Sequence, residues 1–451
     1  MNKNIQIEIP QPVRFIIERL NKHGYEAYIV GGCVRDALLG REAHDWDITT
    51  SARPEAVKAM FKRTIGTGIL HGTVTVMEDH VGYEVTTYRT GVRFEEREEK
   101  QMTQFADSLR EDLCHRDFTI NAMAYNPVEG LVDLFDGVGD LEKKRIVCVE
   151  NAADRFHEDP LRILRAVRFA AQLGFSVDDS IKKELPMMSR RLANVSPERI
   201  HDELVKLFLS ERPEYFKMLY DTGITAVILP EFDRAFPVEQ NCKYHCYNVG
   251  EHTLHVADCA RDLSKDFDPE RKLSFRMAAI LHDLGKYQTK TTDEFGIDHF
   301  RGHQIVSMEM AEEILTRLRF DNKTITRTCK MIRFHDYYMD LNEISVRQGI
   351  SLIGQDYIED VVLFQRADAA GKSEETKNNM WKQLDDTDEI IRLVTDRGDC
   401  VTLKMLAVSG KDLIAAGIKP GPLLGETLQK LLAHVLEHPE DNEKDKLLKL
   451  L

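Results

Sequence analysis

Asp45 and Asp47, in the stretch GGCVRDALLGREAHDWDITT, are the first residues of this chain whose types and spacing could do chemistry. On a strand, residues i and i+2 point to the same face, so this spacing predicts two carboxylates side by side. Ionised carboxylates that close repel each other unless a cation lies between them. Two plainer readings compete: a capped strand end and an acidic surface turn. The chemistry such a pair suits is two-metal phosphoryl transfer, with magnesium ions roughly 3.5–4 Å apart. A third carboxylate should come from a neighbouring strand, and Glu84 in the strand-patterned GYEVTTYR is the candidate. Gly31 and Gly32 would let the backbone approach phosphate oxygens and donate amide hydrogens to them. Arg35 stands at the start of the next short helix, free to pair with phosphate. A glycine pair alone is weak; GG, RD and DxD within seventeen residues form a much more specific pattern.

Two later segments add polar groups at regular spacing. EDLCHRDFTINAMAYNP carries Arg116, Asp117 and Asn121, which a plainer reading makes a capped helix with a solvated arginine. RFHEDPLRILRAVRFAAQLGF predicts a helix opening near Pro160, with Asp159 and Arg162 three apart on one face. Arg162, Arg165 and Arg168 step along it, beside an apolar stripe of Leu161, Leu164, Val167 and Ala171. By itself this is an amphipathic helix with a basic side.

The elements that must position these groups follow from the apolar pattern. Residues 1 to about 145 alternate helix and strand: PQPVRFIIERLNKHG as an amphipathic helix, EAYIV as a buried strand, CVRDALLG as a short helix, DWDITT as a strand. SARPEAVKAMFKR adds a helix, and GTVTVME and GYEVTTYR read as two strands joined near Asp79–Gly82. This is a small α/β domain on a short mixed sheet. Arg89 to Asp112 has no clean apolar period and reads as a solvated loop or surface helix. From about residue 154 the chain is nearly all helix-patterned, with breaks at Pro197, Pro213, Pro230 and Pro237.

The bulk numbers narrow the classes. With 451 residues there is room for three or four domains of roughly 100–200 residues. No apolar run nears the ~20 residues needed to span a bilayer. The N-terminus lacks the apolar core of a signal peptide, and eight scattered cysteines suit reduced thiols and a cytoplasmic home. Cys242, His245 and Cys246 have no second ligand pair at finger-like spacing, which argues against structural zinc. A net charge of −15 excludes non-specific coating of nucleic acid but allows a local basic face. Between Arg155 and Arg199, nine Lys/Arg stand against six Asp/Glu.

GGCVRDALLG…DWD, GYEVTTYR, RDFTINA and EDPLRILRAVRF stand in the order found in class II CCA-adding enzymes, and the chain resembles that family. It belongs to the polymerase-β-like superfamily, with bacterial poly(A) polymerases. The resemblance implies an α+β fold: a small mixed-sheet nucleotidyltransferase head, then an all-α neck, an HD-type body and a helical tail. The divisions are expected near 1–145, 146–210, 211–370 and 371–451. It implies that CTP and ATP are added to the tRNA 3′ end without a nucleic-acid template. Asp45 and Asp47 would hold two magnesium ions, with Glu84 at the third acidic position. Gly31, Gly32 and Arg35 would contact the triphosphate, Arg116, Asp117 and Asn121 the sugar and phosphates, and Asp159 and Arg162 the base, with Arg165 beside them. The alternatives are an A-adding, CC-adding or poly(A) polymerase, or an HD metallophosphohydrolase with an RNA-binding head. GTGILHGTVTV resembles CCA-adding members, and Arg89–Arg110 occupies the place of their flexible loop.

A second set of residues lies in GEHTLHVADCA…AAILHDLGKYQTK…RGHQ…RFHDYY…QRADAAGK, which resembles the HD phosphohydrolase signature. His252, His282, Asp283 and Asp368, from three predicted helices, supply the roughly four N/O ligands that a divalent transition metal takes. His303 and His335 are candidates for a second metal position, while His255 reads as a core residue. The competing reading is an HD fold kept only as scaffold.

Overall fold

A computed structural model describes residues 5–451 other than 44, 67, 70–71, 94–101, 213 and 243–245. The chain packs as two compact units, Met1–Glu203 with Met218–Ile228, and Leu204–Lys217 with Leu229–Leu451.

In the first unit, α1 (Gln11–Lys22) buries Val13, Ile16, Ile17 and Leu20, the i, i+3, i+4, i+7 stripe of an amphipathic helix. Then come β1 (Ala27–Val30), α2 (Gly32–Leu38), β2 (Ile48–Thr50), α3 (Pro54–Met60), β3 (Thr64–Ile65), β4 (Thr73–Glu78) and β5 (Val81–Thr87). β6 (Arg89–Arg93), β7 (Met102–Phe105), α4 (Leu109–Cys114), β8 (Met123–Asn126), β9 (Gly130–Asp133), α5 (Gly137–Glu142) and β10 (Arg145–Ile146) follow. The main sheet runs β3-β4-β5-β2-β1-β8-β9, with β2 parallel to β5 and the other pairs antiparallel. β1 is central and buried throughout, which explains its unbroken apolar run. Its Tyr28 and Val30 pack with Leu113 of α4. Asp79 and His80, both at positive φ, make the two-residue turn between β4 and β5.

Two expectations are corrected here. β2 begins only at Ile48, so Asp45 and Asp47 precede the strand instead of alternating along it. Arg89 to Asp112 is neither loop nor surface helix in its described parts: β6 and β7 pair as an antiparallel ribbon, and α4 follows with Ser108 as its cap. The middle of that stretch, residues 94–101, lies outside the described residues, as do His245 and parts of GTGILHGTVTV.

The helical part opens with α6 (Ala152–Glu158), α7 (Leu161–Leu173), β11 (Ser176–Val177, parallel to β10), α8 (Asp179–Met188) and α9 (Pro197–Phe208). Among its described residues the second unit is helical apart from the small hairpin Thr291–Thr292/Asp298–His299. Its core stacks Phe275 edge-on against Phe364, and Phe364 edge-on against the His282 ring. No described helix is long and apolar enough to cross a membrane.

Candidate functional site

The carboxylates of the first unit converge although only one of them is on a strand. Val30 N–H donates to the Asp47 carbonyl, and Ile48 pairs with Val85, so the register brings Glu84 beside the DxD segment. Asp45, Asp47 and Glu84 are all open to solvent at their side chains. The surrounding protein still raises the Asp47 pKa, Arg116 opposes that, and Asp45 adds to it. Glu84 is raised in the same way, first by loss of solvent and then by Asp47. With Asp47 and Glu84 raised beside other acidic groups, the three carboxylates form a centre of unresolved negative charge, which a cation would relieve.

The glycine pair and Arg35 are placed differently from expectation. Gly31 stands at φ 82°, a conformation that favours glycine, and a Cβ there would come within 3.1 Å of Arg116 Nη1. Its amide donates to the Met123 carbonyl, so it is not available to a phosphate. Gly32 opens α2. Arg35 is not free: it is buried, donates through Nε and Nη2 to Asp36 and through Nη1 to Asn121 Oδ1, and lies over Phe169. A buried fork needs its partners close, and Asp36 is adjacent in sequence while Asn121 is 86 residues away.

Asp117 is the hub of this wall. Its Oδ1 accepts from Phe118 N–H and Asn121 Nδ2, and its Oδ2 accepts from Arg165 Nε and Nη2 at 2.9 and 2.6 Å. Burial works against its ionisation, yet Arg165 and Asn121 outweigh that and hold the carboxyl well below the usual range. Arg165 also donates to Glu203, which takes Arg168 at 2.7 Å. Arg116 is tied more loosely, to Asp112 at 3.3 Å.

Asp159 and Arg162 do not share a helical face. Asp159 closes α6 with extended backbone, φ −144° and ψ 103°, because Pro160 disfavours the helical region for the residue before it. Its carboxylate is forked by Arg199 of α9 at 3.2 and 2.7 Å, while Arg162 donates to Glu158 Oε2 and to the His115 carbonyl. Arg199, Glu158 and Glu203 escaped the sequence reading. Glu158 stood next to Asp159 in HEDP, but nothing in the sequence joins Arg199 to a residue forty positions earlier.

In the second unit His252, His282, Asp283 and Asp368 meet. His252 Nε2 lies 3.2 Å from His282 Nε2, 3.1 Å from Asp368 Oδ1 and 3.3 Å from Asp283 Oδ2. On the other side of Asp283, Oδ1 is 3.3 Å from His303 Nε2 and 3.9 Å from His335 Nε2, and those two nitrogens are 3.1 Å apart. Each ring turns its Nδ1 to a backbone carbonyl: His252 to Gly371, His282 to Ala279, His303 to Phe300 and His335 to Ile332. Those partners assign the proton to Nδ1 and leave four Nε2 lone pairs facing carboxylates and one another. Such acceptors need a cation or a proton between them, and fixing the outer nitrogen is how proteins orient metal-bound imidazoles. Gly371 is part of the arrangement, since a Cβ there would lie 2.3 Å from His252 Nδ1.

Among the described residues two groups can therefore hold a metal ion, His252/His282/Asp283 and Asp283/His303/His335, sharing one carboxylate. Burial opposes charge on His282, but Asp283 and Asp368 overcome it and raise its pKa to about 9; burial pushes His335 down to about 4. Lys286 and Lys372 pair with Asp283 and Asp368 at 2.7 and 2.8 Å. Lys372 and Asp336, the latter 3.5 Å from His303 Nε2, also escaped the sequence reading, although Asp336 forms a second His-Asp pair with His335.

Comparison with known proteins covers the regions that hold both clusters. The poly(A) polymerase head domain matches residues 27–147, the probable RNA and SrmB-binding site of polymerase A residues 174–236, and the HD domain residues 249–371. The CCA-adding enzyme of Levilactobacillus brevis is 32% identical, over 98% of this chain and 97% of that protein. That of Lactobacillus delbrueckii subsp. bulgaricus is 48% identical over 211 residues, so the chain spans about half that relative's length in the match (53%, and 47% of this chain). The Bacillus stearothermophilus CCA-adding enzyme in complex with CTP superposes with a TM-score of 0.68 at 27% identity, over 98% of this chain and 97% of that one. The fold also matches the Thermotoga maritima CCA-adding enzyme complexed with tRNA, with a TM-score of 0.60 at 18% identity. The chain belongs to the CCA-adding enzyme family.

Proposed function

We propose that this protein adds C, C and A to the 3′ end of tRNA from CTP and ATP, without a nucleic-acid template. The observation that carries the reading is the convergence of Asp45, Asp47 and Glu84 beside Arg116, in a chain related over its full length to CCA-adding enzymes. Two magnesium ions held by Asp45 and Asp47 would supply the charge that activates the 3′-hydroxyl and neutralises the leaving pyrophosphate. Arg116 lies beside Asp47 and is loosely tied, so it can turn to a phosphate at small cost. Arg35 contributes by shaping the wall, and reaches a phosphate only by releasing part of its fork with Asp36 or Asn121. Asp117, Asn121 and Arg165 hold the wall on which the sugar rests.

Base choice follows from donor and acceptor chemistry. Cytosine and adenine both present an amino donor beside a ring-nitrogen acceptor, whereas uracil and guanine present the reverse. Asp159 accepts and Arg162 donates, so the two complement C and A. The four-part division into head, neck, body and tail, a cytoplasmic location and tRNA contact by the tail are parts of the same reading.

The HD cluster supports a second activity, hydrolysis of a phosphoester by a divalent transition metal. The four locked imidazoles favour this over a bare scaffold, since a scaffold has no need to aim four lone pairs inward.

Primer extension on tRNA ending before CCA tests the main reading. Asp45→Ala or Asp47→Ala should lower addition by ~10³-fold or more while the fold is kept, comparable to losing a principal electrostatic contributor. Near wild-type rates for either variant would remove the metal site from the account.

A further inference from the structure

The two lysines beside the buried centre of the second unit are committed to different degrees. Lys286 Nζ donates to Gln240 Oε1 at 2.7 Å, lies 2.7 Å from Asp283 Oδ2 and sits over the Phe300 ring, with its side chain 5% exposed. Lys372 stands just past the helix Ile358–Ala370, 2.8 Å from Asp368 Oδ2, its one ion-pair partner among the described residues, and is 11% exposed. An ammonium carries three N–H donors, so Lys372 keeps two for other acceptors. Beside it is the Tyr338 hydroxyl, out of solvent contact and without a well-formed hydrogen bond to any described group. Loss of solvent raises the Tyr338 pKa, Lys372 opposes that, and Asp368 and Asp336 add to it, which places the hydroxyl among those three charges. Its backbone is held: Gln365, three residues before Asp368 on the same helix, donates through Nε2 to the carbonyls of Phe334 and Tyr337 at 3.2 and 2.8 Å. Asp336 is partly open to solvent at this edge, 3.5 Å from His303 Nε2 and 3.9 Å from His335 Nε2, where a metal ion would take up its charge. An unpaired buried hydroxyl costs free energy. Next to a cation and a candidate metal centre, the acceptor that suits it is an anionic oxygen.

We propose that Lys372 and Tyr338 form a grip for the non-bridging oxygens of a phosphoryl group at this centre. The proposal rests on the reading of the centre as a phosphoester hydrolase, and it says which side of the centre the phosphoryl group meets. The hydroxyl and the ammonium are both donors, and a phosphoryl oxygen is an acceptor they can share. Lys286 is not part of the grip, because Gln240, Asp283 and Phe300 already occupy it. Monoesters and diesters both carry non-bridging oxygens, so the grip serves either. If the Lys372–Asp368 pair were purely structural, the hydroxyl would have no work and phenylalanine would serve as well at 338.

The test uses full-length protein loaded with manganese. Calorimetry follows the binding of inorganic phosphate, and colour release follows hydrolysis of p-nitrophenyl phosphate and bis(p-nitrophenyl) phosphate. Phosphate bound at this centre is the difference between wild type and His282→Ala/Asp283→Ala. Tyr338→Phe should keep metal content and melting temperature but weaken that binding about tenfold, the loss of one charge-assisted hydrogen bond. It should also raise KM more than it lowers kcat. Lys372→Ala should weaken phosphate further, and Lys372→Arg should restore part of the loss. If wild type binds no more phosphate than the double variant and hydrolyses neither ester, the phosphohydrolase reading fails and the inference goes with it. If either signal is present and Tyr338→Phe leaves it at the wild-type level, the grip is wrong and the reading stands. Should Lys372→Ala lose its metal or its fold, Tyr338→Phe decides alone.

Discussion

The two acidic centres of this chain handle the same electrostatic problem in opposite ways. Asp45, Asp47 and Glu84 stand open to solvent, Asp47 and Glu84 are raised in pKa, and the cations acting on them are Arg89 and loosely tied Arg116. His252, His282, Asp283 and Asp368 are at most 3% exposed, with every imidazole pinned by a carbonyl and both carboxylates paired with lysines. An open cluster suits ions that arrive with a large polyanionic substrate. A closed cluster suits ions that stay. Burying charge is tolerated only when it is paired, and the second centre has supplied that pairing from its own chain.

The largest effect should come from breaking the closed centre. His282→Ala/Asp283→Ala removes a ligand from each possible metal position, and metal analysis of the purified protein should fall to near zero. Addition to tRNA in magnesium should stay within about twofold, because the two centres share no ligand. Full metal content in the double variant, or a folded variant that no longer adds nucleotides, would erase the distinction.

A smaller effect sharpens it. With its pKa near 9, His282 is protonated at neutral pH when no metal competes. Metal must displace that proton, so affinity should rise with pH and level off above about 9, falling about tenfold per unit below it. Titration with a chelating indicator checks this, and a flat profile from pH 7 to about 9 would contradict the shared-proton picture.

The smallest effect belongs to the open centre. Asp47 and Glu84 have raised folded pKa values, so unfolded carboxylates ionise first. Below about pH 3 both states are largely protonated and nothing is lost; as pH rises through the unfolded and then the folded pKa, the cluster costs stability. In chelator at neutral pH, Asp47→Asn should therefore melt higher than wild type, by about 1–2 °C at most given solvent screening. The difference should vanish below about pH 3 and reverse when magnesium is added. A lower melting point in chelator would show that the carboxylates do not repel.

These contrasts also mark what the sequence could and could not convey. The DxD and His-Asp pairs were legible because short spacing and residue type carry the chemistry. Strand segments such as EAYIV and GYEVTTYR followed from apolar periodicity, and Glu84 was singled out because few charged residues lie in strand-patterned segments. What stayed hidden depended on partners brought together by packing. Arg35 looked free until Asn121 arrived from 86 residues away, and Asp159 looked paired with Arg162 until Arg199 took it. The strand start was misjudged for a local reason: the segment Ile48–Thr50 that enters the sheet is only three residues long, and two of them are threonines. The β6/β7 ribbon was missed because its strands carry no alternating apolar pattern, so periodicity had nothing to detect.

The central claim is that this chain builds a CCA end by itself, and one incubation tests it most directly. Pure protein is mixed with tRNA lacking its last three nucleotides, with magnesium and with CTP alone, ATP alone, or both, and the products are sequenced. The account predicts two cytidines from CTP alone, almost nothing from ATP alone, and CCA with a clean stop from both. A poly(A) tail, or arrest at CC with both nucleotides present, would contradict it.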